Sequence, residues 1–223
     1  DLLWMVLNPV LQMLIIGTVF RFYLRIEIEN YFQYLFVGLL FWNFFSLSLQ
    51  KTAATFVNER SLLQKASFPR ESLVISIVLA NFIHSTAGLI LALPFLSFWS
   101  INWLLLVAPL VWLLIFTTGL SLLFASFNVR YRDVGFFLQA ALPIWFYLTP
   151  IIYPTSLVPG SFRSIILLNP LTTIFEYLHL ATVGSDLSIS GGNLYSSLVI
   201  SFILIILGIL VFRSKNKTFA DWL

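Results

Sequence analysis

The chain has 223 residues, of which 60% are hydrophobic and 9% charged, with a net charge of +3. A soluble domain carries about a quarter charged residues, so a water-soluble globular fold is excluded. Cysteine is absent, which removes a disulfide framework, a thiolate zinc site and a cysteine nucleophile. The two histidines, His84 and His179, leave little for metal chemistry. The positive charges lie where membrane topology would put them and do not point to nucleic acid.

Residues 2–20 form the first charge-free run, and the chain starts inside it at Asp1, so it reads as a fragment lacking a native N-terminal segment. Residues 30–50 form the second run. The third, Ser72 to Val129, covers 58 residues, far more than the roughly 20 that cross a bilayer once, and holds two spans. Residues 134–162 and 187–212 complete the set. The expected fold is an all-α membrane protein with six transmembrane helices near 2–20, 31–51, 72–96, 101–127, 134–152 and 193–213. A broken re-entrant hairpin at 155–182 lies between spans five and six, and residues 1–223 form one transmembrane domain.

The basic residues support that count. Lys51, Arg60, Lys65, Arg70, Arg130, Arg132, Arg213, Lys215 and Lys217 follow alternate spans, whereas only Arg21, Arg25 and Arg163 occupy the other connections. Basic residues near span ends stay cytoplasmic, which places the three richer groups and the C-terminus inside. Two crossings between 134 and 183 would put the tail outside; one crossing plus a returning segment does not. Pro143, Pro150, Pro154, Pro159 and Pro170 agree, because proline breaks helices and broken helices at membrane depth survive only when buried or facing a cavity. Apart from Lys51 and Arg213 at their very ends, the spans carry no acidic or basic residue except His84. A proton- or sodium-driven carrier places charge at that depth, so any energy for transport is expected from a cytoplasmic partner.

The connection at 52–71 is too long for a tight turn. Asn58 can cap a helix with Glu59 in its first turn; Leu62, Leu63 and Ala66 form an apolar side opposite Arg60, Gln64 and Lys65. Pro69 ends it, since Phe68 is pushed toward an extended conformation. The segment is either an interfacial helix with basic anchors or a docking element for a soluble partner. Asn128–Val134 is a second charged connection, in which Asp133 can pair with Arg130 or face the open end of a helix.

The run Asn128-Val129-Arg130-Tyr131-Arg132-Asp133 resembles the matching loop in permease subunits of ABC-type polysaccharide exporters, which handle O-antigen, capsule and teichoic acid. Leu3–Pro9 is similar to that family's first span, Asn58–Lys65 with Phe68–Arg70 to its coupling segment, and Leu168–Leu171 to the sequence after its outer hairpin. The matches occur in family order over nearly the whole chain. The resemblance implies a homodimer of permeases with two separate ABC ATPase subunits, a lipid-linked polysaccharide as cargo, and the bacterial cytoplasmic (inner) membrane as location. It implies no cofactor in this chain, with ATP and Mg held by the ATPase. It also implies that Glu59, Leu62, Lys65, Phe68 and Arg70 transmit force from the ATPase, and that Arg130, Arg132 and Asp133 brace a cytoplasmic gate.

Aromatics crowd the second and fifth spans. Sugar rings present C–H faces that pack on aromatic faces, so Phe44, Phe45, Trp145 and Tyr147 are candidates for a glycan channel; the alternatives are lipid-facing bulk and an interfacial belt. Asn81, His84, Ser85 and Thr86 read as polar groups bonding neighbouring helices. Glu176 and His179 have the spacing of paired carboxylate metal sites, but the further ligands such sites need are missing, and they read as polar groups of the outer hairpin. No GxxxxGK[ST] loop is present. The expected function is a conduit, not an enzyme. The rivals are a permease of the same fold for a drug or smaller lipid, a membrane-embedded enzyme on lipid-linked sugars, and a stand-alone carrier.

Overall fold

A computed structural model describes residues 2–23, 28, 30–58, 69–94 and 101–216. These residues are helical almost throughout, with no strand among them. Helix α1 (Leu2–Thr18) runs into a π turn at Val19–Tyr23. Helix α2 (Tyr31–Asn58) starts after Asn30, whose φ of 55° is a left-handed conformation that asparagine tolerates better than most residues. Its carbonyl accepts from the amides of Gln33 and Tyr34 and so opens the helix.

Helix α2 is the axis of the molecule. Leu35, Phe36, Val37, Leu39, Leu40 and Phe41 are all buried, as are Phe44, Phe45 and Leu49 further on. A helix apolar on every side is buried on every side. Helix α3 (Arg70–Ala92) is peripheral instead: Val74, Val78, Asn81, Ser85 and Leu89 follow a helical period on one buried face, while Ile75, Leu79, Ile83 and Ile90 are exposed. Helix α4 (Trp103–Arg130) begins at Asn102, whose side chain accepts from the Leu105 amide at 3.1 Å. It packs most extensively against α2 and against α8 (Gly191–Asn216).

Helix α5 (Asp133–Leu148) is lightly held, with only Leu138 and Leu142 buried along it. It stops at Thr149, which is extended (φ −104°, ψ 134°) because the following Pro150 disfavours the helical region. After an irregular stretch, α6 (Gly160–Leu167) and α7 (Pro170–Val183) meet at 94°. The Asn169 side chain caps α7 by accepting from Leu171 N at 3.2 Å, and Gly184 ends it with φ 72°.

By length and composition, four of the described helices can cross a membrane: α2, α3, α4 and α8; the bent α6–α7 pair makes a fifth if it counts as one span. The apolar helices at Val6–Phe22 and Asp133–Leu148 are shorter. Helix α2 extends to Asn58, beyond the end near 51 expected for the second span; the short helix expected to follow Asn58 lies outside the described residues. The helix continues past Gln50 because Thr52 and Thr55 return their hydroxyls to the carbonyls of Ser48 and Lys51, and because Phe56 is fully buried.

Candidate functional site: the charged end of the bundle

The ends of five helices meet around a small apolar cluster of Phe56, Val74, Leu122, Ala125, Val129 and Phe212. These residues come from α2, α3, α4 and α8, and α5 starts beside them. The basic groups separated in sequence converge here. Glu71, in the first turn of α3, accepts from Arg213 Nε near the end of α8 at 3.2 Å. Two-thirds of the Arg213 side chain is exposed, so the pair contributes at most about 1 kcal/mol and chiefly marks which ends are neighbours. Lys215 Nζ stands 4.2 Å from the centroid of the Phe127 ring on α4, and Arg130 lies 5.1 Å from that of Tyr131.

Asn128 holds this end together. Its Nδ2 donates to the Ala53 carbonyl on α2 at 2.8 Å, and its Oδ1 accepts from the Gly135 amide on α5 at 2.9 Å. One buried amide therefore joins three helices, α2, α4 and α5. Beyond it, Arg130, Arg132 and Asp133 are exposed, and Asp133 occupies the first turn of α5, where the helix dipole favours an acid. The structure thus brings Arg130, Arg132 and Asp133 to the same end as Arg70, which opens α3 after the extended Pro69. Glu59, Leu62, Lys65 and Phe68 lie outside the described residues.

Lys51 sits two turns before the end of α2 and reaches Asn81 Oδ1 at 3.5 Å, while Asn81 Nδ2 donates to Ser48 Oγ at 3.1 Å. Asn81 does bond a neighbouring helix; Thr86 bonds its own helix, and His84 Nδ1 has no partner.

The opposite end is tied by a different polar set. Tyr31 Oη donates to Ile152 O at 2.7 Å, and Tyr34 Oη lies within reach of Tyr153 O at 3.1 Å and Pro150 O at 3.3 Å. Glu176 accepts from Thr155 Oγ1 and from the Ser188 amide. His179 stacks on Tyr34 with ring centroids 3.6 Å apart, and neither imidazole nitrogen has a hydrogen-bond partner. Arg163 donates to Ser188 O, and Arg21 stands over the Phe32 ring at the start of α2. Among the described residues, the uneven division of basic residues read from sequence therefore corresponds to two ends of one bundle.

The aromatic candidates divide as well. Phe44 and Phe45 are buried within the protomer, Phe45 edge-on to Trp145 at 5.3 Å, and the indole of Trp145 donates to Asn169 Oδ1. Tyr147 is 64% exposed on the flank of α5. Asn128 heads the run that carries the resemblance but was given no role of its own; a polar residue next to two arginines draws less attention than the charges do.

The chain matches the family model described as "ABC-2 type transporter" over residues 1–182. It is 30% identical over 227 residues to the O-antigen export system permease protein RfbA of Klebsiella pneumoniae, with 98% of this chain and 86% of the relative aligned. A protein of the same name from Myxococcus xanthus is 31% identical over 229 residues, with the same shares covered. A membrane-type helical bundle, a charged end that includes the Asn128–Asp133 run, and a family match over most of its length lead to one assignment: this chain belongs to the ABC-2 type transporter family.

Proposed function

We propose that this chain is the membrane-spanning subunit of an ATP-driven exporter that passes a lipid-linked polysaccharide across the bacterial cytoplasmic membrane. The export of O-antigen is what the names of its relatives state; its transfer to this chain rests on their alignment along nearly the whole length. In this reading the permease works as a homodimer with two copies of a separate ABC ATPase, which binds ATP and Mg2+. The charged end faces the cytoplasm, α1 and α5 complete a set of six spans, and α6–α7 is a hairpin that enters from the outer face and returns.

The observation that carries the reading is the joint made by Asn128. A partner pressing on the 59–70 segment acts on the C-terminal end of α2 and the start of α3. Asn128 links that same part of α2, at Ala53, to α4 and to the first turn of α5. A push from the ATPase is thereby delivered to α5, the helix with the least buried attachment. Glu59, Leu62, Lys65, Phe68 and Arg70 form the receiving surface, and Arg130, Arg132 and Asp133 brace the inner gate.

The test is purification of the full-length chain, tagged at its C-terminus, from its own host in mild detergent. A stoichiometric ATPase subunit with ATP hydrolysis in the complex is the expected result. A clean permease without an ATPase would return the carrier and enzyme readings to first place.

A further inference from the structure

Along the flank of the protomer, α1, α2 and α5 leave a groove of about 450 Å³. We propose that this groove is a glycan track that takes uncharged sugars and rejects anionic ones; the proposal rests on the export reading and adds the class of polymer. Its size falls among ligand sites, which run roughly 300–1,000 Å³.

The lining is unusual for a protein of this composition. Four carboxamides border it: Gln12 from α1, Asn43 and Gln50 from α2, and Gln139 from α5. Asn43, Ser46 and Gln50 recur at helical spacing and form a polar stripe on a helix that is otherwise apolar. Asn43 Nδ2 donates to Gln12 Oε1 at 3.3 Å, which fixes two of the amides against each other. Gln50 and Gln139 are exposed and make no hydrogen bond among the described residues. An unpartnered amide is costly against hydrocarbon and well served by an occupant with hydroxyls or by water.

The remaining wall is aromatic. Trp42 packs against Phe146 at 5.4 Å and Phe146 against Tyr147 at 5.2 Å, and all three border the groove. Amides that donate and accept, set beside aromatic faces, match the two surfaces of a pyranose ring: its hydroxyl rim and its C–H face. Among the described residues, no Asp, Glu, Lys, Arg or His lines the groove. A uronate or phosphorylated sugar would lose hydration there and find no cation, and leaving such a charge unpaired is how a site discriminates. Lipid tails would find the amides a poor surface, and a second protomer glued through them would exclude water.

The lack of cysteine makes the test direct. Ser46→Cys is introduced into the full-length chain, which is placed in nanodiscs with whatever partner co-purifies. Labelling by an impermeant maleimide is followed with and without maltoheptaose or an oligogalacturonate of equal length. The expected result is labelling that maltoheptaose slows and the acidic oligomer leaves unchanged. The double variant Gln50→Leu/Gln139→Leu should weaken that protection roughly tenfold, as expected for two lost amide contacts. No labelling, equal protection by both oligomers, or protection that survives the double variant would each overturn the proposal. If an ATPase co-purifies and glycan export persists in the double variant, the groove assignment fails while the exporter reading stands. If no ATPase co-purifies, the exporter reading fails, and sugar protection still reports on the groove.

Discussion

Gly119 on α4 and Gly208 on α8 meet backbone to backbone. A Cβ built at Gly119 would stand 2.8 Å from Ile205 Cα, and one at Gly208 would lie 2.9 Å from the Gly119 carbonyl carbon. Small residues that let backbones touch are a favoured way for helices to associate in a bilayer, where no water drives them together. Gly208→Leu should therefore destabilise the protein by about 1–3 kcal/mol or prevent folding, as overpacking does. Gly191→Ala, where nothing lies within 4 Å of the added carbon, should have no such effect. Thermal unfolding followed by size-exclusion chromatography in detergent compares the two; equal midpoints would refute the close crossing.

Asn128→Ala removes both bonds that tie α4 to α2 and α5. The unpartnered buried groups should cost about 1–3 kcal/mol. In the purified complex, export should fall several-fold while the ATPase keeps turning over, because the push no longer reaches α5. Glu59→Arg should abolish export with the helices intact, since it reverses charge on the receiving surface. Export assayed alongside ATP hydrolysis separates these outcomes, and full export by either variant would remove the coupling assignment.

Tyr34→Phe tests the other end. Its hydroxyl serves the carbonyls of Pro150 and Tyr153, and its ring covers His179. The phenylalanine keeps the ring contact and loses only the hydroxyl, so a loss of about 1–2 kcal/mol is expected from buried acceptors left without a donor. A melting midpoint equal to that of the unaltered protein would show that this end is not held by those bonds.

Topology is open to a simple labelling experiment. Single cysteines at Ser61 and Ser156 should react with an impermeant reagent from opposite sides of the membrane. Labelling from the same side would break the six-span reading.

The helical membrane class and the long apolar helices were legible because charge-free runs mark them. Burial was not, because the exposed Ile75, Leu79 and Ile83 of α3 are as apolar as the buried Val74, Val78 and Leu89, and the aromatic crowding of α2 does not say what surrounds it. The same crowding misdirects a search for function, since a helix surrounded on all sides turns Phe44 and Phe45 inward whatever the cargo. Asn128 was harder to read because its partner Ala53 lies 75 residues away, a distance only the fold closes. The groove amides were missed for a related reason. Gln12, Asn43, Gln50 and Gln139 are solitary polar residues in separate apolar runs, and they form a set only once α1, α2 and α5 are side by side.

The light attachment of α5 has a mechanical meaning. Helices α2, α4 and α8 form a stiff spine, clamped where Gly119 and Gly208 touch. Helix α5 is gripped at its first turn through Gly135, fully buries only Leu138 and Leu142, and is met further on by Asn169 at Trp145 and by Trp42 at Phe146. Its 16 residues make a rod of about 24 Å, with one end at the charged face and the other at Phe146 and Tyr147. On the exporter reading, a rotation at the gripped end would carry the far end with it, and that end is one wall of the groove. On that reading, the protomer would be a lever on a fixed mount, and the amide of Asn128 the wrist that turns it.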